Sequence, residues 1–232
     1  MRLNKYIAKA GLASRRKADI LISEGMIEIN GQVVSDFSYQ VTDQDIITYK
    51  GKVLSSEADL VYLLNKPKGY VCSNSDQYNK KNVFELIDSD SRLFTIGRLD
   101  RDTTGALLIT NNGDLSYRLT HPKYQVEKKY YATSKIDIEN EKLSKVKEGI
   151  QLDDGVRVRA QIKRLHKESG KIFWDIILTE GKNREIKRIF EHFESKVISL
   201  HRYEFAKISI KSLKIGSHRK LNKKEIIEFD KR

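Results

Sequence analysis

Apolar positions recur along this chain with two periods, and the period changes mark out its elements. Leu3, Ile7 and Ala8 stand at i, i+4 and i+5, one face of a short helix that Gly11 closes. Ser14 is the candidate N-cap of a second helix with Ala18, Leu21 and Ile22 as its buried stripe and Gly25 as its stop. Met26–Val34 reads as two short strands joined through Asn30-Gly31, a dipeptide suited to the positive φ angles of a hairpin turn, and Asp45–Tyr49 reads as a further strand. Residues 51–59 are polar and without period, and are expected to link residues 1–50 to a second domain over 60–232.

In that second part Leu60–Leu64 reads as a buried strand and Asn65–Tyr70 as a turn carrying Pro67 and Gly69. Val71–Ser73 follows as a short strand, Ser73–Asn82 as a polar loop and Val83–Ile87 as one or two helical turns. Leu93–Ile96 and Ala106–Thr110 are strands on either side of a charged loop, and Asp114–Thr120 is a helix. Alternation then puts Val126, Lys128, Tyr130 and Ala132 on one strand face and Glu127, Lys129 and Tyr131 on the other. Ile138–Ile150 has helical spacing through Leu143, Val146 and Ile150. Gln151–Leu178 supplies several strands, turning at Asp153-Asp154-Gly155 and Glu168-Ser169-Gly170, with Trp174 in the core. Ile186, Ile189, Phe190 and Phe193 return to a helical face flanked by Lys187 and Arg188. The expected class is α+β: a small unit followed by a mixed, mainly antiparallel sheet.

Composition narrows the function. The 232 residues suffice for one medium domain and one small one. No run approaches the ~20 apolar residues of a membrane helix, and lysines interrupt Met1–Leu12 where a signal peptide would be apolar. A soluble cytoplasmic protein is expected, with no membrane partner. The single Cys72 excludes an internal disulfide framework and a cysteine zinc cluster, and no stretch has metal-ligand spacing. The net charge of +12 calls for a polyanionic partner, nucleic acid ahead of an anionic membrane. The charge is uneven: residues 1–50 carry seven basic and six acidic residues, whereas Lys182–Lys224 carries thirteen and four. Arg15, Arg16 and Lys17 open the second helix, where positive charge opposes the macrodipole at about 0.3–1 kcal/mol each. That placement serves something other than helix stability, and guanidinium groups bind phosphate oxygens bidentately.

Candidate chemistry centres on the charged loop, which holds Arg98, Asp100, Arg101, Asp102 and two threonines before Gly105. Its order, Gly97-Arg98-Leu99-Asp100 followed by Asp102-Thr103 and Gly105, resembles the signature of the pseudouridine synthases, and within them the RsuA/RluB branch that modifies ribosomal RNA. Three further stretches extend the resemblance over almost the whole chain. Arg2–Ile7, Gly11–Ala18 and Gly25–Val33 resemble an S4 RNA-binding domain, including its Ser-Arg-Arg and Asn-Gly elements. Asn65-Lys-Pro-Lys-Gly resembles the opening of the catalytic domain, and Lys128-Lys129-Tyr130 its Lys-x-Tyr strand. Glu180-Gly-Lys-Asn-Arg-Glu-Ile-Lys-Arg188 resembles its third motif, departing from the usual pattern at Glu185, where glutamine is expected, and at Lys187, where arginine is commoner. Ala106 and Asn112 also depart, replacing leucine and aspartate.

The resemblance implies isomerisation of a uridine to pseudouridine without a cofactor. It makes Asp100 the nucleophile, Lys187 its cationic partner, Tyr130 the ring against the target base and Arg98 the brace for the place that base vacates. The flipped-out base costs a few kcal/mol to extrude. RNA contacts are implied for Arg15, Arg16 and Lys17, and for Lys182, Arg184 and Arg188 in the basic third motif. The Ser14-Arg-Arg run and His121-Pro…Val126-Glu-Lys are closer to members acting on large-subunit rRNA, with small-subunit rRNA as the alternative. A monomer is expected. Two other classes compete: a non-catalytic RNA-binding assembly factor, and a metal-dependent nuclease using Asp100, Asp102 and Asp114. Neither calls for the Tyr130 and Lys187 motifs.

Overall fold

The computed structural model describes residues 1–73 and 80–229, so most of the polar loop expected at Ser73–Asn82 lies outside the described residues. The chain divides into two units, one of Met1–Leu60 with Ser89–Leu93 and Asn111–Gly113, the other of the remainder.

In the smaller unit, α1 (Leu3–Lys9) and α2 (Arg15–Ser23) precede β1 (Ile27–Ile29), β2 (Gln32–Val33), β3 (Ile47–Tyr49) and β4 (Lys52–Val53). The Ser14 hydroxyl accepts the Lys17 N–H at 3.2 Å and starts α2 as expected. Asn30 and Gly31, both at positive φ (52° and 81°), turn β1 into β2. The strands form an antiparallel sheet in the order β2-β1-β3-β4. Leu3, Ile7, Ala18, Ile22, Ile27 and Ile47 are fully buried between helices and sheet, and each large aliphatic side chain among them contributes about 1.5–3 kcal/mol. The stretch expected as a linker, 51–59, begins instead as part of this sheet. Lys52–Val53 pairs with β3, and Tyr6 Oη donates to the Leu54 carbonyl at 2.9 Å. Its polarity belongs to a two-residue edge strand, both of whose side chains face water.

The larger unit is built on β5 (Val61–Lys66), β6 (Phe94–Ile96), β7 (Thr104–Thr110), β8 (Lys128–Ser134), a β9–β10 hairpin (Ile150–Gln151, Arg157–Val158), β11 (Gln161–Glu168), β12 (Lys171–Leu178), β13 (Val197–Phe205), β14 (Ile208–Ser209) and β15 (His218–Lys220). Its helices are α3 (Gly113–Thr120), α4 (Asn140–Glu148), α5 (Glu185–His192) and α6 (Lys223–Glu228). Among the described residues the main sheet runs β11-β12-β8-β13-β7-β5-β15, with β6 on β7 and β14 on β13. Every pairing in it is antiparallel except β13 with β7, which is parallel.

Alternation in β8 follows expectation: Lys128, Tyr130, Ala132 and Ser134 are buried, whereas Tyr131 is exposed. Trp174 is fully buried, donates its indole N–H to Ser134 Oγ at 2.9 Å and meets Phe190 of α5 edge-on. Two local readings change. The helix expected to reach Ile150 stops at Glu148, because Gly149 takes φ 109° and Ile150 enters β9. Val71 makes one isolated bridge, to Asn82, in place of a strand.

Candidate active site

The loop between β6 and β7 carries the charged motif, and three devices fix its path. Gly97 begins it with φ 67°, a conformation that L side chains rarely adopt. Leu99 buries its side chain. Lys66, at the end of β5 and fully buried, donates from Nζ to the carbonyls of Pro67 (3.2 Å), Asp100 (3.1 Å), Arg101 (3.4 Å) and Thr103 (3.0 Å). One ammonium thus gathers the backbone around Asp100. Burial pulls the Lys66 pKa below the ordinary lysine value, against the opposing pull of Cys72, Asp102 and Asp100.

Gly105 ends the loop under a different constraint. It sits opposite Arg202 in the parallel β7–β13 pairing, with φ 109°, and a Cβ there would lie 2.2 Å from the Arg202 carbonyl oxygen. The motif glycine is therefore demanded by a strand far away in sequence.

Helix α5 delivers Lys187 to this loop. Its Nζ donates to Asp100 Oδ2 at 2.9 Å and Asp102 Oδ1 at 2.8 Å. The lysine side chain is 11% exposed while the two carboxylates are 36% and 60% exposed, so the cation is the buried member of the cluster. Burial opposes the Lys187 charge, but the bonds to Asp102 and Asp100 prevail and hold its pKa above the usual lysine value. The Lys187 bond likewise lowers the Asp102 pKa despite partial burial. The ammonium bridging these two acids occupies the position a metal would need in a nuclease built on them. A lysine suits this geometry: its tetrahedral donors reach two separate acids, whereas a guanidinium fork matches one carboxylate face.

These residues surround a cavity of about 150 Å³. Asp100, Arg98, Tyr130 and Lys187 line it, as do Lys182 and Arg184 of the third motif. The expected catalytic and base-contacting residues are thus brought together from β6–β7, β8 and α5. Arg98 is exposed, whereas Tyr130 is buried and only 6% exposed. Arg188 does not line the cavity; it is ion-paired with Asp154. Arg184 is the left-handed N-cap of α5 (φ 48°) and pairs with Glu191 at 3.4 Å. Arg15, Arg16 and Lys17 are exposed on the first turn of α2 in the smaller unit.

Glu185, the departure from glutamine, is 3% exposed, and its Oε2 accepts the Lys182 N–H at 2.9 Å. Burial, reinforced by the neighbouring Glu180, pushes its pKa well above that of an ordinary glutamate. A raised pKa favours the neutral form, which like glutamine carries no charge and combines an acceptor oxygen with a donor.

Sequence reasoning left out three residues of this site: Lys66, Lys128 and Arg202. Lys128 and Arg202 are buried cations in the cavity wall. The signal for Lys128 was present, since alternation placed it on the Tyr130 face. Nothing local marks Arg202.

Comparison with known proteins gives a consistent picture. Residues 60–192 match the family described as RNA pseudouridylate synthase, and residues 1–47 match the S4 domain. Ribosomal large subunit pseudouridine synthase B of Bacillus subtilis (strain 168) is 40% identical over 97% of this chain and 93% of its own length. An uncharacterized RNA pseudouridine synthase of Aquifex aeolicus (strain VF5) is 35% identical over 100% of this chain and 94% of its own. A crystal structure of a pseudouridylate synthase superimposes with a TM-score of 0.71 at 31% identity, covering 99% of both chains.

Proposed function

Because this chain belongs to the RNA pseudouridylate synthase family and carries an S4 domain, we propose that it isomerises one uridine of large-subunit ribosomal RNA to pseudouridine, acting as a cytoplasmic monomer. The observation that carries the reading is the 2.9 Å pair between Lys187 and Asp100 in the wall of a cavity also lined by Tyr130. Similarity to the Bacillus subtilis large-subunit synthase over nearly the full chain supports the choice of substrate. Small-subunit rRNA is the substrate that the same chemistry would serve if that choice fails.

In this reading the target uridine leaves its helix and enters the cavity, with Arg98 at the mouth bracing the vacated position. Tyr130 packs against the base. Asp100, held in place by the Lys187 ammonium at 2.9 Å, serves as nucleophile while the N1–C1′ bond gives way to a C5–C1′ bond. Overall, one proton leaves C5 and one arrives at N1, so no co-reactant is consumed. Arg15, Arg16 and Lys17 of the S4 domain, with Lys182 and Arg184 beside the cavity, bind phosphates of the surrounding RNA. Arg188, neutralised by Asp154, takes the lesser part in that contact.

The test is pseudouridine mapping of rRNA from cells lacking the gene, complemented with wild type or Asp100→Asn. Loss of a single large-subunit site, restored by wild type alone, is expected. A lost small-subunit site would correct the substrate. A map unchanged by deletion would remove rRNA isomerisation and leave an RNA-binding assembly factor.

A further inference from the structure

Two cations line the inner wall of the cavity, and no carboxylate forms an ion pair with either among the described residues. Lys128 Nζ donates to the Val126 carbonyl at 3.0 Å and lies 5.6 Å from the Phe205 ring centroid. Arg202 Nε donates to the Ala106 carbonyl at 2.6 Å, and its guanidinium carbon stands 4.6 Å from the same ring. Nη1 reaches Tyr130 Oη at 3.4 Å, and Nη2 is buried without a hydrogen-bond partner. Arg202 is 2% exposed and Lys128 is 8% exposed. Glu185 lines the same cavity and attracts Lys128, but that attraction is weaker than the burial and the Arg202 repulsion that oppose the Lys128 charge. Burying a charge without a partner is costly to the fold. Two such charges side by side, repelling each other, call for an anion that is absent until substrate enters.

The isomerisation supplies one. When the N1–C1′ bond breaks heterolytically, its electron pair stays on N1 and the detached base is a uracil anion, its charge shared by N1, O2 and O4. The base must then be held, turned and joined through C5. C5 attacks C1′ and displaces the Asp100 carboxylate if that has bonded there; C5 then loses its proton and N1 gains one. A phosphate is the other anion of the substrate, but its place is outside, where Arg98, Lys182 and Arg184 are exposed.

We propose that Lys128 and Arg202 form an electropositive wall that stabilises the detached uracil as an anion between the breaking of N1–C1′ and the making of C5–C1′. Lys128 is the contacting residue. Arg202 is a positioning residue: by donating to the Tyr130 oxygen it leaves the Tyr130 hydrogen free to donate to a base oxygen. The inference rests on the pseudouridine reading of the site.

The experiment measures single-turnover rate and RNA affinity separately, using the full chain and deproteinised large-subunit rRNA from cells lacking the gene. Lys128→Met is expected to slow the bound reaction by ~10²-fold or more, the usual cost of removing one preorganised donor at a developing anion, and Arg202→Met to slow it by ~10-fold or more through the loss of its bond to Tyr130 and of its charge. RNA affinity should stay within about threefold. Lys128→Arg and Arg202→Lys, which keep the charge, should recover most of the rate. On RNA carrying 5-fluorouridine at the target, where fluorine itself stabilises the departing anion, the methionine variants' deficit in N1–C1′ cleavage should shrink. Folded methionine variants with wild-type rates overturn the wall, as does a deficit that fluorine leaves unchanged. Should a methionine variant fail to fold, the charge-conserving pair decides: loss of rate with retained folding and RNA binding in both would overturn a role resting on charge. Wild type forming no pseudouridine is a separate failure, that of the reading beneath.

Discussion

Lys128→Met should make this protein more stable. Burial, aided by repulsion from Arg202, pulls the Lys128 pKa from 10.5 to about 8, against the weaker attraction of Glu185 and Glu180. A depression of that size corresponds to roughly 3 kcal/mol of folding free energy spent on keeping the ammonium charged in the cavity wall. The side chain is 8% exposed, so solvent screens little of this. Methionine fills similar volume without charge. It forfeits the bond to the Val126 carbonyl, worth about 1 kcal/mol, leaving a net gain on the order of 1–2 kcal/mol. For a unit of this size that is a rise in Tm of about 2–8 °C.

The pH dependence identifies the cause. The folded-state pKa lies below the unfolded one, so below pH 8 the lysine is charged in both states and its burial cost is present in full. Between about pH 8 and 10.5 the folded protein binds fewer protons than the unfolded chain, and wild-type stability gains relative to the variant. The variant's advantage should therefore be greatest at pH 7 and shrink steadily above pH 8. Urea denaturation of both proteins at pH 7 and pH 9.5 measures this. A variant less stable than wild type at pH 7, or an advantage that does not change with pH, would refute the account of Lys128 as an uncompensated buried cation.

Gly105→Ala should lose on the order of 3–5 kcal/mol, since its Cβ would meet the Arg202 carbonyl oxygen at 2.2 Å; a urea midpoint near wild type would contradict the parallel pairing. Lys66→Met strips a shared donor from four carbonyls around Asp100, each costing ~1–3 kcal/mol if left unsatisfied. Single-turnover rates should fall steeply while RNA affinity, measured alongside by filter binding, holds. Arg15→Ala combined with Arg16→Ala should lower the slope of log affinity against log salt by about 1.5–2, as two phosphate contacts disappear. The rate at saturating RNA should be unchanged.

What was legible in the chain was local or chemical. Helix faces such as Leu3/Ile7 and Ile186/Ile189/Phe190, and the alternation through β8, follow from periods that a few turns or residues impose. Asp100, Tyr130 and Lys187 were legible because their motifs are compact, and the structure brings all three to one cavity. Illegible features depend on partners distant in sequence. Lys52–Val53 looks like linker because an edge strand of two residues has no buried face to create a pattern. Gly105 looks like a turn glycine, yet its reason is the backbone of Arg202. Lys66 looks like one more surface lysine beside a proline, and only the folded loop shows four carbonyls converging on it.

The two departures in the third motif make the same point about how substitutions are judged. Read alone, Lys187 loses the fork that holds a carboxylate bidentately, and Glu185 adds a charge where glutamine was neutral. In place, Lys187 divides its donors between Asp100 and Asp102, a task that rewards tetrahedral geometry over planarity. Glu185 sits so deep, and so near Glu180, that its pKa rises to about 8. Each substitution stays near the charge its position requires, one by being a cation of another shape and the other by resisting ionisation. The surplus positive charge of the cavity then resides in Lys128 and Arg202, neither of which has an ion-pair partner among the described residues, and the attraction of Glu185 and Glu180 does not offset the burial of Lys128. That is the arrangement expected if the neutralising group arrives with the substrate and becomes fully anionic only during the reaction.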